Sequence, residues 1–119
     1  MNKKIILLLV FFLASCAQME INDSNIVHQE KIFKNWVLSR CLSYTFEDLN
    51  QKQDALNTAS AYLEQSTLSV EQLLSSEPVI KNFLSRNYKG SIEGTFNTMK
   101  CIDLFNSPEL GALYRTLKK

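Results

Sequence analysis

Three cysteines and one histidine are the side chains of this 119-residue sequence best suited to covalent or acid–base chemistry: Cys16, His28, Cys41 and Cys101. Cys16 closes the run Leu13-Ala14-Ser15-Cys16, which follows a basic start at Lys3 and Lys4 and an unbroken apolar stretch from Ile5. An aliphatic-small-small-Cys pattern at the end of such a stretch is the cleavage and lipidation signature of a bacterial export signal. The apolar run falls short of the roughly 20 residues that a membrane-spanning helix needs. The expectation is a signal peptide over residues 1–15, a lipid on Cys16, and a mature chain working in the periplasm. An ordinary secretory signal with a coincidental cysteine is the alternative. Ala17 rather than Asp after the cysteine points to the outer membrane under the sorting rule of Gram-negative lipoproteins.

Cys41 and Cys101 remain. An even pair in an oxidising compartment is most simply a disulfide. Closing a loop of about 60 residues contributes on the order of 4 kcal/mol in the chain-entropy model. Two buried thiols or half of a metal site are the alternatives. Metal is disfavoured because His28 is the single histidine and no Cys-x-x-Cys occurs. No metal and no cofactor is expected.

The sequence argues against an enzyme. Nucleophilic catalysis needs a base beside the nucleophile, and His28 sits alone in a polar stretch, residues 17–29, that reads as a flexible spacer. Asp103 and Glu109 are divided by a helix stop, whereas paired carboxylates must face each other across a cleft. Gly90-Ser91-Ile92-Glu93-Gly94 has too few glycines to cradle a phosphate, and no Lys-Ser/Thr pair follows. Loss of residues 1–15 lowers the formal charge from +1 to −1 and leaves 104 residues, enough for one small domain. A near-neutral domain has no electrostatic footprint for nucleic acid, and membrane contact is expected through the N-terminal lipid alone. A small exported scaffold without catalytic groups is expected to be a binder.

The elements that position these residues read as helices. Phe33, Trp36, Val37, Arg40, Cys41 and Tyr44 fall at spacings of three and four, one face of an amphipathic helix beginning at Glu30. A second helix, about 47–66, carries Leu49 or Lys52, then Ala55, Leu56, Ala59, Tyr62 and Leu63. A third stretch, 68–88, contains Val70, Leu73, Leu74, Val79, Ile80, Phe83, Leu84 and Tyr88. Pro78 should interrupt it, with Ser76 as N-cap of the restart. Gly90 suits a helix C′ position. Phe96, Met99, Ile102 and Phe105 mark the next helical face, with Cys101 beside it. Asn106-Ser107-Pro108-Glu109 reads as a stop, an N-cap, a first-turn proline and an acidic first turn. A last helix carries Leu110, Leu113, Tyr114 and Leu117, and Arg115, Lys118 and Lys119 complement its dipole. No sustained strand pattern appears. The expected fold is all-α: a compact bundle of five to six short helices with one internal disulfide tying the first helix to the penultimate one. Its expected organisation is a signal peptide at 1–15, a lipidated tether at 16–29 and a helical domain at 30–119.

The segments Tyr88-Lys89-Gly90-Ser91, Phe96-Asn97-Thr98-Met99-Lys100-Cys101-Ile102-Asp103-Leu104-Phe105-Asn106-Ser107 and Glu109-Leu110, with Asn35-Trp36-Val37-Leu38-Ser39-Arg40-Cys41, Asp54-Ala55 and Ser60-Ala61-Tyr62-Leu63-Glu64 upstream, carry a family likeness. Together they resemble the amidase-immunity proteins of type VI secretion systems over about residues 32–113. Met-Lys-Cys-Ile-Asp is the most specific part. Asn106-Ser107 departs from the His-Ser expected there, at a helix stop. Many members carry a plain secretory signal, so a lipid tether would be a variation. The resemblance implies a helical, dimeric periplasmic immunity protein whose partner is a cognate secreted peptidoglycan amidase. That enzyme is a DL-endopeptidase with a papain-like Cys-His site, held in a 2:2 complex. It also implies a protruding loop that enters the enzyme's groove, assisted by a helix of the bundle. The matching loop here is Lys89, Gly90, Ser91, Ile92, Glu93 and Gly94; the glycines could equally just make the turn. Glu71, Gln72, Ser75, Lys81 and Asn82 are candidates for the second contact, or simply a solvated face. A structural adaptor lipoprotein of the envelope, without a toxin partner, is the rival reading.

Overall fold

The computed structural model describes the backbone of residues 3–119 and the side chains of residues 24–119. The lipidation position Cys16 and the signal segment lie outside the described side chains. Six helices follow in order: α1 (Lys3–Thr45), α2 (Leu49–Gln65), α3 (Val70–Leu74), α4 (Glu77–Leu84), α5 (Asn97–Phe105) and α6 (Pro108–Leu117). No strand occurs among the described residues. The all-α expectation holds, with a difference in proportion: α1 is a 43-residue spine rather than a short helix. It packs against each of the other five.

The spine's inward face follows the predicted spacing from Phe33 to Cys41, whereas Tyr44, expected on the same face, is exposed, and Ile32, Ser39 and Ser43 are buried in addition. Phe33, Val37 and Cys41 are fully buried and Trp36 nearly so. Each such side chain contributes roughly 1.5–3 kcal/mol of burial. They meet Ala59 of α2, Leu73 of α3, Ile80 and Phe83 of α4, Cys101 and Leu104 of α5, and Leu110 and Tyr114 of α6. Alanines at 55 and 59, one turn apart, are the buried residues of α2 and let the two backbones approach closely. Leu49, offered by the sequence as a face residue, points into solvent.

The spine reaches further back than its apolar period. Gln29, placed by the sequence in the spacer, is used by the fold: its amide nitrogen donates to the Gln65 carbonyl (3.2 Å) and its amide oxygen accepts from the Thr67 backbone N–H (3.0 Å). It thereby satisfies the turn between α2 and α3. Its partners lie more than 35 residues away in sequence, so a local reading of polarity could not find them.

Local capping chemistry sets most helix ends. The Asp48 carboxylate accepts from Gln51 N–H, and the Ser107 hydroxyl accepts from Leu110 N–H with Pro108 opening α6. Ser69 and Gln72 form a reciprocal capping box on α3. Pro78 does divide the third stretch, and Ser76 does precede α4. The Ser76 hydroxyl, however, donates backwards to the Leu73 carbonyl rather than capping forwards.

Candidate functional site

Between α4 and α5 the chain runs through twelve residues, 85–96, without regular structure. Residues 87–95 take part in no backbone–backbone hydrogen bond. The expected loop residues Lys89, Gly90, Ser91, Ile92, Glu93 and Gly94 are all exposed, and Ile92, at 76 %, is among the most exposed apolar side chains described. The tip therefore offers backbone amides and carbonyls, a small hydroxyl, an apolar side chain, and one charge of each sign.

What frames this loop is rigid. Adjacent residues of α1 hold its two flanking helices. Cys41 is bonded to Cys101 of α5, as the cysteine count implies. Arg40 donates to the Glu77 carboxylate at the start of α4, both Nε and a terminal nitrogen lying 2.8 Å from Oε1. The Tyr44 hydroxyl donates to the other Glu77 oxygen at 2.5 Å. That bond, reinforced by burial and by the carboxylate's charge, raises the Tyr44 pKa above its ordinary value. The guanidinium also lies over the Trp36 and Tyr44 rings.

The base of the loop is pinned to α5. Lys100, only 7 % exposed, directs its ammonium at the Leu84 carbonyl in the last turn of α4 (3.1 Å). A cation at a helix C-terminus is favourably placed. The Tyr88 hydroxyl donates to the Asp103 carboxylate at 2.6 Å, and this bond raises the Tyr88 pKa. The Arg86 guanidinium stacks 3.5 Å from the Phe83 ring centroid.

Several expectations are corrected here. Gly90 is not a helix C′ residue: α4 stops at Leu84, six residues earlier, and no glycine has a positive φ. The helix can end early because Lys100 satisfies its terminal carbonyl. Met99 and Ile102, read as an inward face, are half-exposed; the inward set of α5 is Lys100, Cys101 and Leu104. The disulfide at Cys101 fixes the phase of α5. Phe96 is not on the helical face at all. It precedes α5 in a left-handed conformation (φ 54°, ψ 32°). The sequence gives no sign of the Arg86 stack or of the roles Phe96, Lys100 and Asp103 take here, and the pairing of Tyr88 with Asp103 across 15 residues leaves no local signal.

The second-contact candidates are only partly free. The Gln72 side chain is used in the capping box and donates to the Leu117 carbonyl at 2.8 Å. The Ser75 hydroxyl donates to the Gln72 carbonyl. Asn82 accepts from Arg86, while Glu71 and Lys81 stand exposed. No group of acidic, histidine and cysteine side chains able to hold a metal occurs among the described residues.

Comparison with known proteins adds a frame. Residues 31–114 match the family model of Tai4, the type VI secretion system amidase immunity protein. A chain of the Salmonella typhimurium Tae4–Tai4 effector–immunity system is 44% identical, with 73% of this chain and 86% of that one covered and a TM-score of 0.69. A chain of the Enterobacter cloacae Tae4–Tai4 complex is 32% identical over 72% of this chain and 88% of its own, with a TM-score of 0.66. A third similar chain comes from the complex of the Salmonella typhimurium effector Tae4 with the Enterobacter cloacae immunity protein Tai4 (32%, 72% and 89% covered, TM-score 0.67). Comparison with curated sequences gives no match.

Proposed function

The chain belongs to the amidase immunity family of type VI secretion systems, and from that membership we propose that its exposed loop at residues 89–94 enters and blocks the active-site groove of its partner. The protein is an immunity protein against a secreted amidase of the Tae4 kind. It acts by occlusion and has no enzymatic activity of its own. The partner is a peptidoglycan DL-endopeptidase with a papain-like Cys-His groove, which a narrow loop can fill.

One observation carries the loop assignment. Ser91, Ile92 and Glu93 project at the tip of a segment without backbone hydrogen bonds, on a base held by Tyr88–Asp103 and Lys100–Leu84. Binding residues concentrate on loops held by rigid scaffolds. Holding the base in place lowers the ordering cost that binding must meet. Glu71, Lys81 and Asn82 remain as the polar part of a second contact. The protein is a homodimer that holds two amidase molecules, located in the periplasm and anchored to the outer membrane through lipid on Cys16. Family membership leaves the envelope-adaptor reading with no observation in its favour.

The test is muropeptide cleavage by the amidase encoded beside this gene, titrated with the protein and with a variant substituted at Ser91, Ile92 and Glu93 together. Stoichiometric inhibition that the triple variant loses, with no muropeptide turnover by the protein alone, supports the reading. Full inhibition by the triple variant rejects the loop. Cys16→Ser, followed by metabolic lipid labelling and envelope fractionation, tests the anchor independently.

A further inference from the structure

A loop without backbone hydrogen bonds needs another source of shape, and its two glycines show where that source lies. A Cβ on Gly90 would sit 2.9 Å from Phe96 Cζ and 3.4 Å from Cε1; one on Gly94 would sit 4.0 Å from Cε2. The Phe96 ring therefore lies against both ends of the segment that carries Ser91, Ile92 and Glu93. A larger residue at 90 would require the Phe96 ring to shift. Neither glycine has a positive φ, so glycine at 90 serves close approach rather than turn geometry.

Phe96 itself is the one described non-glycine residue with a positive φ. Crowding between Cβ and the following carbonyl oxygen disfavours this conformation for L-residues. It persists only where the surroundings over-determine it, and such sites cluster at functional segments. Here Phe96 also hands its carbonyl to Lys100 N–H (3.0 Å), opening α5, four residues before the buried lysine and five before the disulfide. The strained residue is thus fixed to the rigid side of the molecule while its ring faces the loop.

We propose that Phe96 is the positioning residue of the inhibitory loop. Its ring is the template over which residues 90–94 fold, and it holds Ser91, Ile92 and Glu93 in the shape that the amidase groove receives. The proposal rests on the loop reading above and deepens it: Phe96 sets affinity through the loop rather than by touching the enzyme. Without the ring, at least three residues with no hydrogen-bonded backbone would be ordered only on binding. That cost weakens inhibition by about tenfold or more.

The experiment compares inhibition constants and melting temperatures for Phe96→Ala, Phe96→Gly, Gly90→Ala and the Gly90→Ala/Phe96→Ala double variant, beside the triple substitution at 91–93. Phe96→Gly relieves the left-handed backbone while deleting the ring. It is expected to melt at or above Phe96→Ala, yet to inhibit as poorly. Gly90→Ala is expected to weaken inhibition by itself and to add nothing to Phe96→Ala, because the atoms it collides with are gone. A purely structural role would instead make inhibition track melting temperature. Wild-type inhibition by Phe96→Gly overturns the template. If the triple variant also inhibits fully, the loop reading has failed; if only the triple variant fails to inhibit, the loop reading stands and the template falls.

Discussion

The neighbourhood of Cys41 and Cys101 and the loop at residues 87–95 are built by opposite means. At the first, burial, helix hydrogen bonds and a covalent bond coincide: both cysteines are fully buried, and Phe33, Val37, Leu73, Ile80 and Leu104 belong to the same buried cluster. At the second there is no backbone pairing, and shape comes from the Tyr88–Asp103 bond, the Lys100–Leu84 bond and the Phe96 ring. The junction lies in two adjacent residues of α1, where Arg40 reaches α4 and Cys41 reaches α5. On the proposed loop mechanism, stability and inhibition are encoded separately. Substitutions in the first region should move melting temperature, and those in the second should move affinity.

The largest effect that sharpens this division is removal of the disulfide. Cys41→Ser/Cys101→Ser frees a span of 60 residues, worth about 4 kcal/mol in the chain-entropy model. A domain of this size should then melt lower by roughly 15 °C or more. Inhibition by the still-folded fraction at 25 °C should stay within about threefold of wild type, since the loop's own anchors survive. An unmoved melting temperature would break the account of the core.

Glu77→Gln is next. It removes the carboxylate shared by Arg40 and Tyr44, both partners of the ion pair being more than two-thirds buried. A loss of about 1–2 kcal/mol is expected. It should appear in urea denaturation as a lower midpoint with unchanged slope.

Alkaline pH separates the two regions by titration. The Tyr44 pKa is raised by its hydrogen bond to Glu77, that of Tyr88 by its bond to Asp103, and that of Tyr114 by burial. The unfolded chain therefore gives up these protons first. Stability is fully present below the ordinary tyrosine value of 10.0 and declines as pH rises through the raised native values. Tyr44→Phe should flatten the alkaline fall in stability, whereas Tyr88→Phe should flatten the alkaline fall in amidase binding. Alkaline stability curves of Tyr44→Phe and wild type that superimpose would contradict the first assignment.

The smallest effects are expected at Leu49→Gln and Met99→Gln, both at exposed sites. Each should change stability by less than about 0.5 kcal/mol. Met99→Gln should leave inhibition unchanged; weakened inhibition would extend the contact onto the outer face of α5.

The same contrast explains what the sequence made legible. Ser107-Pro108 announced a helix start because a capping hydroxyl and a first-turn proline act within three residues. The disulfide followed from counting thiols, and the α1 face from spacing alone. Features that depend on distant partners were hidden. Gln29 looked like linker because its partners are Gln65 and Thr67, and the burial of Lys100 depends on the distant Leu84 carbonyl. The loop itself could be placed by sequence between two helices. Its internal logic could not, because glycines at 90 and 94 suggest turns, whereas in the fold Gly90 makes room for the Phe96 ring.

The most direct test of the loop's role is amide hydrogen exchange on the protein alone and in complex with its amidase. Residues 87–95 lack backbone hydrogen bonds, so their amides should exchange quickly in the free protein. If the loop fills the enzyme's groove, amides at 91–93 slow by orders of magnitude in the complex, while the outer face of α2 is unaffected. Unchanged exchange at 91–93 in a stoichiometric, inhibited complex would contradict the account and place the inhibitory contact elsewhere on the bundle.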